Sequence, residues 1–249
     1  MTDARATDAR VTDARVVRIE RLDLAFAPRP WPFAQSRRAE IDAHFAKRKA
    51  ERPSLWNGKV LVLYEHAVEG AVFRGSYLET DYASFISWLD WGYPEASTRD
   101  SFSQGALRSA DGAFLLGVMG QQTANAGKIY FPAGTPDLSD VKGSTVDLAA
   151  SVWREVEEET GLTAADLDGE PGWYTVFAGQ QIAHLKIMQA REDAVTLRAR
   201  ILAFLARQNP PELSDIRIVR SLADLDPKMP PFIGGFLRQQ WPAGSDPQR

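Results

Sequence analysis

The chain has 249 residues, 44% hydrophobic and 25% charged, a globular composition that argues against a disordered, collagenous or membrane-embedded protein and suits one large domain or two small ones. Its 29 basic and 33 acidic residues give a net charge of −4 (29 − 33), so no basic excess points to nucleic-acid binding. With no cysteine and only three histidines, disulfides, Cys-ligated zinc and thiol catalysis are excluded, and a metal site would consist of carboxylates, which favour Mg²⁺, Mn²⁺ or Ca²⁺.

The first fifteen residues repeat Thr-Asp-Ala-Arg three times with a period of five. This period fits neither a helix nor a strand, so residues 1–15 are predicted to be a disordered tail. The tail lacks the apolar centre of a signal peptide, and no later apolar run is long enough to span a bilayer. We therefore expect a cytoplasmic protein without a membrane partner.

Residues 16–100 are predicted to form an N-terminal α/β section. A charged helix over 37–51 is followed by two strands, at 59–66 and 71–77, joined by a turn that contains glycine. Residues 82–91 carry an aromatic side chain at every third position, the spacing of one helix face. Core packing is the favoured reading of this aromatic face, with a ligand platform as the alternative.

Residues 101–249 mix strands and helices without repeated βαβ units. The pattern predicts a hairpin around Asp111-Gly112, a strand, a helix, a second strand pair, and then helix, strand and helix. These elements are placed at 104–120, 128–131, 147–160, 174–177 with 182–188, 194–207, 215–219 and 231–240. Such an order indicates an α+β fold, with helices packed around a mixed sheet.

The helix predicted at 147–160 ends in a cluster of acids at its least favourable end. Helix C-termini carry partial negative charge, and like charges one turn apart repel each other. Glu155, Glu158 and Glu159 project to one side, whereas Glu157 faces away. Three converging carboxylates suit a divalent cation, and the alternative is a solvated acidic face relieved by pairing of Arg154 with Glu158.

The string REVEEETGL at 154–162 resembles the second half of the Nudix box at every specified position. The resemblance covers about residues 100–225 and implies a Nudix-type αβα sandwich. It also implies Mg²⁺-dependent hydrolysis (with Mn²⁺ as the other candidate metal) of a nucleoside diphosphate linked to another moiety. Carried onto this chain, Glu155, Glu158 and Glu159 bind metal, and Glu158 and Glu155 serve catalysis together with Arg154, which orients the glutamates.

The chain departs from the upstream half of that box. The positions that usually hold glycine and glutamate are Asp140 and Val146, and Gly134 lies twenty residues before Arg154, so the loop is about six residues longer. Asp147 has two readings: it replaces the missing glutamate, or it only caps the helix. The departure motivates an alternative function, a non-catalytic nucleotide-binding sensor with a degenerate box.

A second resemblance concerns the N-terminal section. Its charged helix, the segment RPSLWNGK at 52–59 and the long box loop look like the uridine diphosphate-glucose pyrophosphatase subgroup of animals and plants. That subgroup implies cleavage of a nucleoside diphosphate sugar, such as UDP-glucose, to UMP and sugar 1-phosphate. Trp56 and Asn57 have the plainer reading of capping and packing residues.

Substrate contacts are predicted at His184, Lys186 and Gly134, although a polar strand face is the alternative for the first two. Glu212 and Asp215 are candidates for a catalytic base late in the chain. The expected partner is a small-molecule nucleoside diphosphate substrate. Nucleic acid is not expected, an RNA-end hydrolase being the weaker reading, and a homodimer through the N-terminal section stays open.

Overall fold

The computed structural model describes residues 14–241. Of the tail predicted to be disordered over 1–15, residues 1–13 lie outside the described residues, whereas Arg15 belongs to the first strand. No helix in the described part of the chain is long and apolar enough to cross a membrane.

Within residues 14–241 the chain forms thirteen strands and six α-helices, numbered here in chain order. The strands are β1 (Arg15–Ile19), β2 (Arg21–Phe26), β3 (Lys59–Glu69), β4 (Val72–Asp81), β5 (Asp100–Arg108), β6 (Phe114–Met119), β7 (Ile129–Tyr130), β8 (Val141–Lys142), β9 (Thr145–Val146), β10 (Leu167–Gly169), β11 (Trp173–Ala178), β12 (Gln181–Ala190) and β13 (Leu213–Val219). The helices are α1 (Pro32–Ser36), α2 (Arg38–Glu51), α3 (Tyr82–Asp90), α4 (Leu148–Thr160), α5 (Ala194–Leu205) and α6 (Pro231–Gln240). Every element predicted above is present, and β1, β2, α1, β8, β9 and β10 are additional.

The strands assemble into two mixed sheets. The larger sheet has the order β1-β11-β12-β5-β6-β13, with β7 beside β6 and β10 beside β12, and the smaller has the order β3-β4-β2-β9-β8. Most pairs are antiparallel, but β12 with β5 and β2 with β4 run parallel. This mixture confirms the predicted α+β class.

Helices cover both faces of the larger sheet at β5. On one face α4 packs so closely that a Cβ on Gly105 would lie 2.3 Å from the Cγ2 of Val156. On the opposite face the rings of Phe102 and Phe232, from α6, have centroids 5.3 Å apart. The predicted helix–sheet–helix layering is therefore present, and it fixes the position of α4.

The two sections predicted on either side of residue 100 interleave. Strand β1 joins the larger sheet by pairing with β11, although it belongs to the N-terminal section. In the other direction, β9 from the long loop joins the smaller sheet, where Ala25 pairs with Thr145 and Phe26 N donates to Ser144 O at 2.9 Å. The loop before α4 is thus held by the N-terminal section.

The N-terminal section also has a core of its own. Trp31, Phe33, Ile41, Phe85 and Trp88 are buried together between its helices and β3. The aromatic face of α3 therefore packs in a core, as the favoured reading held. Burial of several aromatic rings in one small section fixes α2 and α3 against the smaller sheet.

Substituting Gly105 by Ala tests the close approach of α4 to the sheet. The added methyl meets the buried Val156, so we expect a loss of about 1–3 kcal/mol in the free energy of unfolding, the usual cost of overpacking. Urea unfolding measures it. The matched control is Gly169→Ala, whose nearest neighbour is the flexible end of Lys186 at 3.3 Å. Equal stability of the two variants would contradict the packing.

Candidate active site

Helix α4 is capped at its N-terminus by Asp147 and ends at Gly161. The Asp147 carboxylate accepts from the backbone N of Ala150 at 3.0 Å, and Gly161 ends the helix with a φ of 71°, in the left-handed region that suits glycine. Val152 and Val156 are buried against the larger sheet. Of the two readings of Asp147, the structure shows the helix cap.

Glu159 is an almost completely buried carboxylate in the last turn of α4. Only 2% of the residue is exposed. Its Oε1 accepts from the backbone N of Ala133 at 3.1 Å, whereas its Oε2 has no hydrogen-bond partner among the described residues. Burial, reinforced by the nearby charge of Glu212, raises the pKa of Glu159 well above its ordinary value. Such a group is expensive to keep ionised unless a cation accompanies it.

Glu155 lies one turn earlier, against the turn that contains Gly134. A Cβ on Gly134 would lie 2.1 Å from the Oε1 of Glu155, so this turn has room for the carboxylate only because position 134 is glycine. Arg154 donates from Nη1 to the same oxygen at 2.6 Å. Burial nevertheless raises the pKa of Glu155 to about 7, Arg154 opposing the shift and Glu158 adding to it.

Arg154 links the acidic cluster to the long loop. Its Nη2 donates to the Oδ1 of Asp140 at 3.0 Å, and its Nη1 lies 3.7 Å from the Oε2 of the exposed Glu158. Asp140 is only 3% exposed and also accepts from the backbone N of Asp137 at 3.1 Å. The predicted orienting role of Arg154 thus has a geometric basis, and Asp140 is a member of the site that the sequence did not indicate.

Glu212 joins the cluster from the residue before β13. It lines the same cavity as Glu155 and Gly134, and burial together with the charge of Glu158 raises its pKa. Asp215, the other late candidate, forms an ion pair with Arg198 at 2.6 Å and does not line this cavity. Of the two candidates for a catalytic base, Glu212 is the one at the site.

The cavity beside these glutamates has a volume of about 510 Å³ and lies between the N-terminal helices and the larger sheet. Its walls include Arg48 of α2, Phe85 of α3, Asp100 of β5 and Phe232 of α6. The N-terminal section therefore forms one side of the site. Part of the aromatic face of α3 borders this space as well as the core.

His184 and Lys186 were predicted to contact substrate, and neither of them lines the cavity. His184 is fully buried between the hydroxyls of Thr175, at 2.9 Å, and Ser101, at 3.3 Å. Burial lowers its pKa to about 3, so the ring is neutral. Lys186 donates from Nζ to the backbone O of Glu170 at 2.8 Å. The physical reason is that both faces of β12 are covered.

The residues at the end of α4 fit a hard divalent cation. Carboxylate oxygens are the ligands such ions prefer, the Oε2 of Glu159 has no partner among the residues described, and Gly134 leaves space at Glu155. Within residues 14–241, no three acidic or histidine side chains stand close enough together to hold a metal as they are.

Comparisons with known proteins return likenesses in structure alone. No family model and no curated protein matches the chain. The chain is similar to the Nudix hydrolase RenU from M. smegmatis, at 19% identity over 56% of this chain and 81% of that one, with a TM-score of 0.37. It is similar to the MutT protein from Methanosarcina mazei Go1, at 19% identity over 57% and 91% of the two chains, with a TM-score of 0.37.

A third likeness is to a bifunctional NMN adenylyltransferase/ADP ribose pyrophosphatase from Francisella tularensis, complexed with AMP and a Mn ion. The identity is 15% over 54% of this chain and 36% of that one, with a TM-score of 0.32. Likenesses this low carry no conclusion about activity, so the site residues carry the proposal that follows.

Substituting Glu159 by Gln tests the strain of the buried charge. Without divalent metal at pH 8, we expect Glu159→Gln to raise the free energy of unfolding by about 1–3 kcal/mol, because a neutral amide replaces a poorly solvated carboxylate. The folded-state pKa lies above the unfolded value, so wild-type stability should rise as the pH falls towards 4.5, and this rise should be smaller in the variant.

Thermal unfolding between pH 8 and pH 5 measures both effects. The matched control is Glu157→Gln, which changes an exposed carboxylate of the same helix that does not contribute to the raised pKa of Glu159, so it should leave the pH dependence unchanged. A lower stability of Glu159→Gln at pH 8 would show that the carboxylate is not strained.

Substituting Asp140 by Ala tests the tie between the loop and α4. Asp140→Ala removes one acceptor of Arg154 and the acceptor of the backbone N of Asp137, so we expect a loss of about 1.5–3 kcal/mol in unfolding free energy. The control Asp168→Ala breaks an exposed pair with Arg191 and should cost no more than about 1 kcal/mol. Equal losses in the two variants would refute the tie.

Proposed function

We propose that this protein is a Mg²⁺-dependent hydrolase of the Nudix type, which cleaves a nucleoside diphosphate linked to another moiety. The carrying observation is the carboxylate cluster at the end of α4, where a buried Glu159 oxygen has no partner among the described residues and Gly134 leaves space at Glu155. Glu155 of this cluster, together with Glu212, lines a cavity large enough for a small-molecule ligand. The string at 154–162 supports the same assignment.

A bound Mg²⁺ or Mn²⁺ would neutralise charge on the phosphate oxygens and polarise water. Glu155, Glu158 and Glu159 would hold the ion, and Arg154 fixes the carboxylate of Glu155 through its hydrogen bond. The oxygen of a water molecule attacks one phosphorus, the bond from that phosphorus to the bridging oxygen breaks, and two phosphate monoesters leave.

Glu212 is suited to take the proton of the attacking water. It lines the cavity beside Glu155, and its raised pKa brings its basicity closer to neutral pH, where a general base is most effective. Its Oε atoms would carry that proton until it passes to solvent. Because phosphoryl transfer depends mainly on positioning and charge neutralisation, no further chemical group is needed.

For the substrate we propose a nucleoside diphosphate sugar, such as UDP-glucose, which would give UMP and glucose 1-phosphate. Support comes from the N-terminal section, since α2 and α3 supply one side of the cavity. A bare nucleoside diphosphate would leave that side unused. The lack of cysteine is compatible with a reducing cytoplasm, where such substrates occur.

The competing function is a nucleotide sensor that binds without cleaving. It is favoured by one observation, that the acidic side chains within residues 14–241 are not gathered into a ready metal site. An assay for phosphate-ester products distinguishes the hydrolase from the sensor. The panel of compounds to be assayed is UDP-glucose, UDP-galactose, ADP-ribose, dinucleoside polyphosphates and NADH. Binding without product, with Mg²⁺ or Mn²⁺ present, would favour the sensor.

Glutamine variants on α4 test the hydrolase. We expect Glu155→Gln and Glu159→Gln to lower Mg²⁺-dependent turnover by about a hundredfold or more, because removing groups that stabilise transition-state charge has effects of this size. The matched control is Glu157→Gln, an exposed glutamate of the same helix that should retain wild-type turnover. Turnover unchanged in all three variants would eliminate α4 as the metal site.

A further inference from the structure

The floor of the cavity is built by alternate residues of β5. Asp100, Phe102 and Gln104 occupy the face of the strand that borders the cavity. Ser101 and Ser103 point to the other side, where Ser103 donates to the backbone O of Leu148 at the start of α4. The floor therefore carries an acid, an aromatic ring and an amide in a row, in the same cavity that Glu155 and Glu212 line.

The acid at one end of this row is already oriented by a neighbour. Gln181 pairs in register with Asp100 in the parallel β5–β12 ladder, and its Nε2 donates to the Oδ2 of Asp100 at 3.0 Å. Asp100 is 9% exposed. Burial raises its pKa to about 6, so at pH 7.5 the group is mostly an ionised carboxylate, able to accept further hydrogen bonds from a ligand.

The amide oxygen at the other end has no hydrogen-bond partner among the described residues. Gln104 is only 1% exposed, and its Oε1 makes no hydrogen bond to any described residue. A buried amide without a partner destabilises the folded protein, and native structures rarely keep one without a reason. Because Gln104 lines the cavity, a ligand is the natural partner for this group.

The chemistry of the floor selects among ligands. A phosphate would be repelled by Asp100, whereas hydroxyl groups can donate to a carboxylate and can both donate to and accept from an amide. Phe102, between the two polar groups, and Phe85 across the cavity offer apolar surface for the C–H face of a sugar ring. The set therefore matches a polyhydroxylated ring better than an anion.

We propose that Asp100, oriented by Gln181, binds the vicinal hydroxyl groups of a sugar, and that Gln104 binds a further polar group of the same ligand farther along β5. This inference rests on the proposed function, because it places the sugar of the same molecule whose diphosphate lies at the glutamates of α4. A vicinal diol occurs both in the hexose of a nucleotide sugar and in the ribose of a nucleoside. The experiment therefore has one arm for each source.

Binding of reaction products tests the subsite without any turnover. Calorimetric titrations at pH 7.5 with glucose 1-phosphate represent the hexose, and titrations with UMP and AMP represent the ribose. We expect Asp100→Asn to weaken binding of one of these two classes by about ten- to a hundredfold, the range for a hydrogen bond to a charged group. The class that responds identifies which sugar the subsite holds.

Ligands that lack one hydroxyl separate direct contact from a general effect. The analogues are 3-deoxyglucose 1-phosphate for the hexose arm and dUMP and dAMP for the ribose arm. If the diol contacts Asp100, the analogue should bind wild type and Asp100→Asn with affinities equal within about threefold, because the interaction is already lost. An analogue that loses as much affinity as its parent upon Asp100→Asn would overturn the proposal.

Gln104→Met supplies a second variant that folds. It keeps the volume of the side chain and removes the unpartnered amide, so we expect an unchanged or higher Tm together with weaker sugar binding. A purely structural role predicts a lower Tm and unchanged binding. Asp168→Asn, an exposed aspartate paired with Arg191, is the matched control and should bind as wild type does.

The outcomes for the subsite and for the hydrolase are distinguishable. The subsite would be overturned if none of the product ligands binds, or if both Asp100→Asn and Gln104→Met bind them as wild type does. Either result would overturn it even if the protein hydrolyses compounds of the nucleotide panel. The predicted binding pattern without any hydrolysis would uphold the subsite and leave the nucleotide sensor as the function.

Discussion

The burial of the Glu159 carboxylate is the constraint on which the site depends. One oxygen is satisfied by the backbone of Ala133, and the other has no partner among the described residues. An ion of this kind is costly in an apolar surrounding, and Glu155 and Glu212 add to the cost by repulsion. The fold can keep the group only because packing of α4 on the sheet contributes far more than this one site costs.

That packing is itself made possible by small residues at two close approaches. Gly105 lets Val156 rest on β5, and Gly134 lets the turn after β7 lie against Glu155. A side chain at either position would push the helix or the turn away by a few tenths of an ångström or more. The carboxylates would then separate, because their positions follow the helix axis. The close approach of the backbone at these two glycines therefore determines where the carboxylates lie.

The sequence is informative where local chemistry determines structure. Helix α4 can be predicted from the spacing of its apolar residues, its Asp147 cap and its end at Gly161. Its acidic face can be predicted from the rotation of 100° per residue in an α-helix. The strands within 15–26 are not predicted from the sequence, because each is short and its partner strand is remote in sequence. The role of Asp140 is not predicted either, because an ion pair between a loop and a helix produces no periodic pattern in the sequence. The burial of His184 could not be predicted, because alternation along a strand does not distinguish a core face from a solvent face when both faces are covered.

If the ligand is a diphosphate, as proposed, the charge distribution around the cavity would make its entry depend on a cation. Glu155 and Glu212 border one part of the cavity and Asp100 another, so an anionic ligand meets carboxylates in both places. Arg48 and Lys128 also line it, but Arg48 already contacts Asp90 and Lys128 donates to Asn125 at 3.1 Å. A divalent ion at the glutamates would reverse the local sign. Metal and diphosphate should then bind cooperatively, each lowering the cost of placing the other.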